Sequence, residues 1–418
     1  MVRFGANSKK VVSFLEYGII WTERDNMNID RYLSKLIEND LKEKMVFIGG
    51  PRQVGKTTLA KKIGDTAYAG RTPYLNWDAR GDRKAVMESA FDGKARLVIF
   101  DEIHKYRHWK NYLKGLYDKR KEEIDILVTG SSRLDIFRKG GDSLLGRYFY
   151  YRLHPLSVGE LCGNRKVPEP FKDFMPAAAL SAAGIYKRLR KFGGFPEMYM
   201  KQSATALRRW HNNRIDRLVK EDIRDIESVR DLSGLQVLTQ LLPGKVGSLL
   251  SLNSLTEDLQ VSFKTVRLWV DILERFYYHF RIYPYQSTLI KSLRKEPKLY
   301  LWDWSELQDE GAALENMTAS HLLKLCHFLY DAQGHKAQLW FLRDKQQREV
   351  DFLVTVGGKP WFCVEVKKDQ DTVSGGLLYF KDRLKVPMSF QVVEREGVDV
   401  KKQGVRIISV SDFLSCLV

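Results

Sequence analysis

Cysteine is scarce in this chain. The four cysteines, at 162, 326, 363 and 416, form no CxxC pair. That argues against a disulfide framework or a zinc site and makes a reducing cytoplasm the expected setting. Long apolar runs are missing too. Segments such as LVIF at 97–100 are strand-sized, far short of the roughly 18 residues a membrane-spanning helix needs. The opening FGANSKKVVSFLEYG lacks the charged-then-apolar order of a secretion signal. No internal repeat and no low-complexity tract interrupts the chain.

What is present points to a globular protein of several parts. The 418 residues are 44% apolar and 29% charged, enough for two to four domains with their own cores. Aromatic residues are plentiful, which argues against disorder. The formal net charge of +17 suits a polyanionic partner such as nucleic acid, although solvated surface lysines and arginines would give the same figure.

Residues 1–28 read as an extension of uncertain structure. NIDRYLSKLIENDL follows as a helix with Ile29, Tyr32, Leu33 and Leu36 on one face. Within a first domain at 29–157, the strands MVFIG, TPYLNW, RLVIFD, IDILVTG and YFYYRL alternate with helical segments from residue 45 onward. This is the pattern of an α/β fold with a parallel sheet. Residues 158–242 turn helical, 243–299 hold a short helical unit and strand-like YYHFRIYPY, and 300–418 mix strands and helices again.

GGPRQVGKTT at 49–58 contains Gly50, then Gly55, Lys56 and Thr57 at P-loop spacing. The glycines let backbone N–H groups curl around phosphate oxygens. Lys56 suits the β- and γ-phosphates of ATP, and the Thr57 hydroxyl suits Mg²⁺. Thr58 completes the nucleotide-binding set. RLVIFDEIHKY at 96–106 brings a buried strand to its carboxyl end at Asp101 and Glu102. Asp101 suits a hold on Mg²⁺ through its hydration shell, and Glu102 suits polarising the attacking water. His104 and His108 lack the glutamate of an HExxH site and read as helix-surface histidines.

GPRQVGKTTL, VIFDEIHKYRHW, ILVTGSS, SLLGRYFYYRLHPLS and KFGGFPEMY occur in this order. Together they resemble a bacterial and archaeal AAA+ ATPase family whose ATPase core and helical lid precede a C-terminal domain of long-unassigned function. The resemblance runs from about residue 29 to near the end. It implies that Ser131 or Ser132 is the polar sensor beside the P-loop. It implies an arginine finger at Arg147, which a helix C-terminal arginine would equally explain. It implies that Gly193, Gly194 and Pro196 lie in the lid near the base.

SLNSLTEDLQVSFKTVRLWVDILERF at 251–276 has a helix–turn–helix pattern. Leu252, Leu255 and Leu259 form one apolar stripe, and Ser262 can cap a second helix whose Val266, Trp269, Val270 and Leu273 face inward. Lys264, Thr265, Arg267 and Leu268 would begin its outer surface, where such a helix meets DNA. The family resemblance also implies a winged helix here. Packing against a neighbouring protein surface is the alternative.

REVDFLVTVGGKPWFCVEVKK at 348–368 reads as a hairpin. Alternation puts Glu365 and Lys367 on one face. A two-residue Gly357-Gly358 turn would pair Asp351 with Val364, whereas an odd-length loop would bring Asp351 to Glu365 or Lys367. With Asp351 and Glu365 holding Mg²⁺ or Mn²⁺ and Lys367 orienting water, the pattern resembles the PD-(D/E)xK nuclease fold. Glu315 matches the upstream acidic residue of RecB-like members. Glu349-Val350 replaces the usual proline before the aspartate, and a charged solvent face remains the alternative.

The expected protein is therefore a P-loop AAA+ ATPase with a helical lid, a winged helix and an α/β PD-(D/E)xK nuclease-like domain. ATP and DNA are the expected partners, together with further copies of the chain in a ring as large as a hexamer; no membrane is expected. ATP-driven remodelling, translocation or processing of DNA is the leading function. A nucleotide-controlled signalling or scaffold ATPase is the rival.

Overall fold

The structure is a computed structural model that describes residues 29–91, 93–130, 144–164, 166–174, 181–223, 229, 231–286 and 288–418. The extension at 1–28 and the sensor candidates Ser131 and Ser132 lie outside the described residues. The chain divides between Arg31 and Tyr32, and every element named below belongs to the unit Tyr32–Val418.

After a first helix, α1 (Ser34–Asp40), five parallel strands form the first sheet. They are β1 (Met45–Gly49), β2 (Tyr74–Asn76), β3 (Leu97–Asp101), β4 (Asp125–Thr129) and β5 (Tyr148–Arg152). Their order in space is β2-β3-β4-β1-β5. Strands β1 and β3 are buried at all five positions. This explains their uninterrupted apolar runs, because a parallel sheet covered on both faces has no wet side. Helices α2 (Lys56–Ala67), α3 (Arg80–Glu88) and α4 (Trp109–Arg120) make the crossovers. Trp109 and Leu113 of α4 join Phe47, Phe100 and Val128 in one apolar core.

Beyond β5 come α5 (Val158–Leu161), α6 (Ala182–Phe192), α7 (Pro196–Lys201) and α8 (Ala204–Arg217). A wide turn at Leu218–Ile223 precedes α9 (Leu232–Leu241). Two more helices, α10 (Leu252–Leu259) and α11 (Phe263–Arg275), meet at a sharp turn. In that turn, Gln260 takes a positive φ of 55°. Ser262 caps α11 by accepting from the Thr265 backbone N–H, satisfying one of the unpaired donors of the first turn.

Strands β6 (His279–Pro284) and β7 (Lys298–Leu301) follow, with α12 (Leu289–Leu293) between them. The long helix α13 (Glu310–Gln333) then leads into β8 (Ala337–Arg343), β9 (Glu349–Val356) and β10 (Lys359–Lys367). After these come α14 (Gly375–Leu384), β11 (Met388–Val393), β12 (Asp399–Lys402), β13 (Val405–Ser409) and α15 (Val410–Ser415). Eight strands form one sheet in the order β12-β13-β11-β10-β9-β8-β6-β7. Strand β6 runs parallel to β8 through Tyr283 opposite Trp340. The strands after the helix–turn–helix unit thus continue the C-terminal sheet, and position 299/300 falls inside β7. Among the described residues, no helix is long and apolar enough to cross a membrane.

Helix α13 ties this sheet to the first one. Asp331 accepts two bonds from the Arg152 guanidinium, at 2.8 and 2.9 Å. The buried Lys324 ammonium donates to Ser157 Oγ and Glu160 Oε2, both at 2.7 Å. Such a pair resists separation, because parting it would leave a buried charge unanswered.

Candidate active site

Two clusters of chemistry-bearing side chains stand out, one on each sheet. The second lies on the β9–β10 hairpin. Its turn is the two-residue Gly357-Gly358, with both glycines at positive φ. By simple alternation that turn would turn Asp351 away from Glu365. A bulge between Pro360 and Phe362 shifts the register by one and sets Val364 opposite Phe352. The extra residue, Trp361, is fully buried and packs edge-on against Phe174. One step along the hairpin, the Asp351 backbone N–H lies 3.4 Å from Glu365 Oε2, and the Val366 N–H donates to Asp351 Oδ2 at 2.8 Å. Lys367 pairs with Glu365 Oε1 at 2.7 Å.

Glu315, from the first turns of α13, reaches the same cluster and accepts from Tyr300 Oη at 2.7 Å. Burial, followed by the Asp351 charge, pushes the Glu315 and Glu365 carboxyls up to about 7. The sequence reading missed Lys298 of β7. Its ammonium lies 2.6 Å from Glu349 Oε1, 3.2 Å from Glu315 Oε1 and 3.5 Å from Asp351 Oδ1. A lysine in KEPKLY gives no local sign of this role, because it reaches the hairpin only through sheet pairing.

The predicted recognition surface on α11 has Lys264 and Arg267 exposed and Thr265 half-buried. Thr265 Oγ1 is 2.8 Å from Ser262 Oγ, within the helix cap. Phe263 and Leu268 are also exposed, giving the outer face a mixed basic and apolar character. Val266, Trp269, Val270 and Leu273 are buried beneath it. Arg281 of β6 pairs with Asp271 and Glu274 and so fixes α11 against its strand.

The first cluster sits at the carboxyl ends of the parallel strands. Gly55 takes φ 98° and opens α2. Gly50, at φ 146°, passes so close to the Leu153 carbonyl that a Cβ would lie 2.4 Å from it. Lys56 is buried and donates to the Gly50 and Pro51 carbonyls, at 3.0 and 2.7 Å. Burial holds its pKa below the ordinary lysine value. Asp101 accepts from three hydroxyls: Thr57 Oγ1 at 2.8 Å, Tyr74 Oη at 2.7 Å and Thr129 Oγ1 at 2.6 Å. Glu102 takes a left-handed φ of 57° and donates its N–H to the Thr129 carbonyl at 2.9 Å. Burial pushes its carboxyl up to about 7, against the pull of Lys56.

Residues 42–162 match the family model described as an AAA domain. Residues 184–308 and 310–413 match two further models, each described as a domain of unknown function. Among curated relatives, an uncharacterized protein of Methanocaldococcus jannaschii is 27% identical over 340 residues, covering 70% of each chain. An uncharacterized protein of Mycobacterium tuberculosis is 25% identical over 335 residues, covering 78% of this chain and 70% of that one. One from Haemophilus influenzae is 23% identical over 424 residues, covering 92% and 98%. Among solved structures, the Thermotoga maritima RuvB Holliday junction branch migration motor aligns with a TM-score of 0.30 at 18% identity, covering 63% of this chain and 93% of that one. Bacteroides Pif1 in complex with ADP-AlF4 aligns with a TM-score of 0.24 at 13% identity, covering 41% and 48%.

Within the stretch that matches the AAA model, Thr58 and Arg147 lie apart from this cluster. Thr58 is exposed on the first turn of α2. Arg147 precedes β5, whose first residue Tyr148 pairs with Met45 at the start of β1. It therefore lies roughly 16 Å, one five-residue strand, from the P-loop end of the sheet. Its guanidinium makes two bonds to Asp118, at 2.7 and 3.0 Å. Gly193, Gly194 and Pro196 lie outside the AAA match. A Cβ on Gly193 would come within 2.7 Å of Asp303 Oδ1, and one on Gly194 within 2.6 Å of Trp304. Close packing against 303–305 is thus reason enough for both glycines.

The reading of His104 as a surface residue needs correction. His104 is buried, with Nε2 3.4 Å from Glu102 Oε2, while His108 is exposed. His104 lies within the short turn Ile103–Lys105, whereas His108 sits at the N-cap position of α4, so the two do not share a helix face. Sequence reasoning also missed Thr129, Tyr74 and the acidic pair Glu221 and Asp222. That pair holds Arg52 of the P-loop, at 3.3 and 2.6 Å. The strand-ending threonine of ILVTG was the available sign for Thr129.

Proposed function

We propose that the protein hydrolyses ATP in its AAA domain and uses the turnover to remodel, translocate on or process DNA. The observation that carries the ATPase half is Asp101. It gathers Thr57, Tyr74 and Thr129 at the mouth of the P-loop, with Glu102 next in the chain and Lys56 behind. This donor set fits ATP with Mg²⁺: Thr57 would hold the ion through its hydroxyl and Asp101 through the hydration shell. When bound, Mg²⁺ neutralises charge on the β- and γ-phosphates. Lys56 exchanges the Gly50 and Pro51 carbonyls for phosphate oxygens. Glu102 orients the attacking water and takes up its proton, for which a carboxyl near pH 7 is well matched.

Arg147 is proposed to act on a neighbouring copy, since its place beside Asp118 keeps it from its own P-loop. This reading carries an assembly with it, a ring being the arrangement that repeats such a contact. DNA binding is assigned to the outer face of α11, where Lys264 and Arg267 are solvent-exposed. The net charge of +17 supports the same partner.

The test is ATP turnover with no nucleic acid and with single-stranded, duplex and branched DNA. The proposal expects at least one DNA form to raise the rate several-fold. A rate indifferent to every form would favour the second reading, a nucleotide-controlled scaffold ATPase. That reading draws support from α13, which links the two sheets through Arg152–Asp331 and Lys324–Glu160. Phosphodiester cleavage at Asp351, Glu365 and Lys367 forms no part of the proposal, because Lys298 lies among those carboxylates.

A further inference from the structure

We infer that the Lys298 ammonium takes the cation position of the C-terminal carboxylate cluster, so that this domain binds no divalent ion there and is held together by an internal charge instead. Glu315, Glu349, Asp351 and Glu365 would together suit Mg²⁺ or Mn²⁺, which take oxygen ligands from carboxylates. Lys298 Nζ already lies within 3.5 Å of three of them. The fourth, Glu365, is answered by Lys367 at 2.7 Å and Ser374 Oγ at 3.4 Å. Arg343 takes the outer oxygen of Glu349 at 2.6 Å. Three cations therefore face the four carboxylates, leaving little charge to attract a metal.

Lys298 cannot easily yield its place. Its side chain is 3% exposed, and its backbone is paired on both sides, opposite Ile282 of β6 and opposite Leu249. Expelling the ammonium would strand a buried charge. Burial opposes its charge, yet Glu315, Asp351 and Glu349 together hold its pKa above the ordinary lysine value. The cluster is also roofed by the loop before the helix–turn–helix unit. The Gly247 N–H donates to the Leu299 carbonyl at 3.1 Å, and a Cβ on Gly247 would lie 3.2 Å from Glu315 Oε2. Lys298 thus fastens α13 and β9 to β7 and to the chain segment that enters α10.

The test uses nucleotide-free full-length protein and Mn²⁺ followed by electron paramagnetic resonance, so its outcome is independent of the ATPase reading. Wild type should bind no Mn²⁺ that Asp351→Asn removes. Lys298→Met, which keeps the stem and deletes the charge, should gain one bound Mn²⁺, and Asp351→Asn in that background should abolish it. Wild-type Mn²⁺ binding that is lost in Asp351→Asn would overturn the inference. So would a folded Lys298→Met that gains none. Should Lys298→Met fail to fold, the wild-type and Asp351→Asn titrations decide alone.

Discussion

Thr129 at the end of β4 donates its hydroxyl to Asp101 at the end of β3, at 2.6 Å and fully buried. The two residues are register partners in the parallel pair, so the sheet itself fixes the bond. Thr129→Val keeps the shape and deletes the donor. It should cost about 1.5–3 kcal/mol of stability, the range for a hydrogen bond to a charged group. It should also lower kcat for ATP more than it changes KM, because Asp101 would keep only the Thr57 and Tyr74 bonds to its other oxygen. Denaturant unfolding and steady-state kinetics check both. Unchanged values of both would remove Thr129 from the site.

Arg147 cannot reach the P-loop of its own chain from the start of β5. ATP turnover per chain should therefore rise with protein concentration. Arg147→Ala should abolish that rise while leaving ATP affinity in dilute protein near wild type. A chain that stays monomeric by sedimentation and is fully active would contradict both the trans arginine and the ring.

Lys264 and Arg267 are exposed on α11. If both meet phosphates, the double substitution to alanine should weaken DNA binding and flatten its salt dependence by roughly two units of log–log slope. Fluorescence anisotropy across a salt series measures this. A slope equal to wild type would assign the contact to other residues.

These positions differ in how far the sequence exposes them. Lys56, Thr57 and Asp101 are legible because a P-loop and a buried strand end are local patterns, and the alternation of apolar strands with helices is enough to suggest a parallel sheet. Thr129 is harder, since its link to Asp101 depends on which strands are neighbours. The hairpin shows a further limit. Its Gly-Gly turn is plain, but the bulge at Trp361 depends on a buried slot beside Phe174, a residue distant in the chain. Lys298 is least legible of all. It belongs to a strand before α13, and only the pairing of β6 with β8 brings β7 into the same sheet.

The raised carboxyls have a consequence for pH. Glu315 and Glu365 are pushed from an ordinary value of 4.5 up to about 7, first by burial and then by Asp351. The folded state thus binds their protons more tightly than the unfolded chain. Their stabilising contribution is complete below about pH 4.5 and is lost as pH rises through about 7. Tm should therefore fall between pH 6 and pH 8, and Glu365→Gln should flatten that fall. A Tm that rises over this window, equally in both proteins, would contradict the burial of these groups.

ATP hydrolysis by the purified chain in Mg²⁺ tests the central claim most directly, with Lys56→Ala and Glu102→Gln measured beside wild type. Lys56→Ala should lose tight ATP binding, because the phosphates lose their cation. Glu102→Gln should bind ATP normally yet turn over slowly, by roughly two orders of magnitude or more, the usual worth of a general base. In wild type, kcat/KM should rise with pH through about 7 as Glu102 ionises, and that rise should be absent from the glutamine variant. Turnover in Glu102→Gln equal to wild type, or no turnover by wild type with any DNA, would contradict the account.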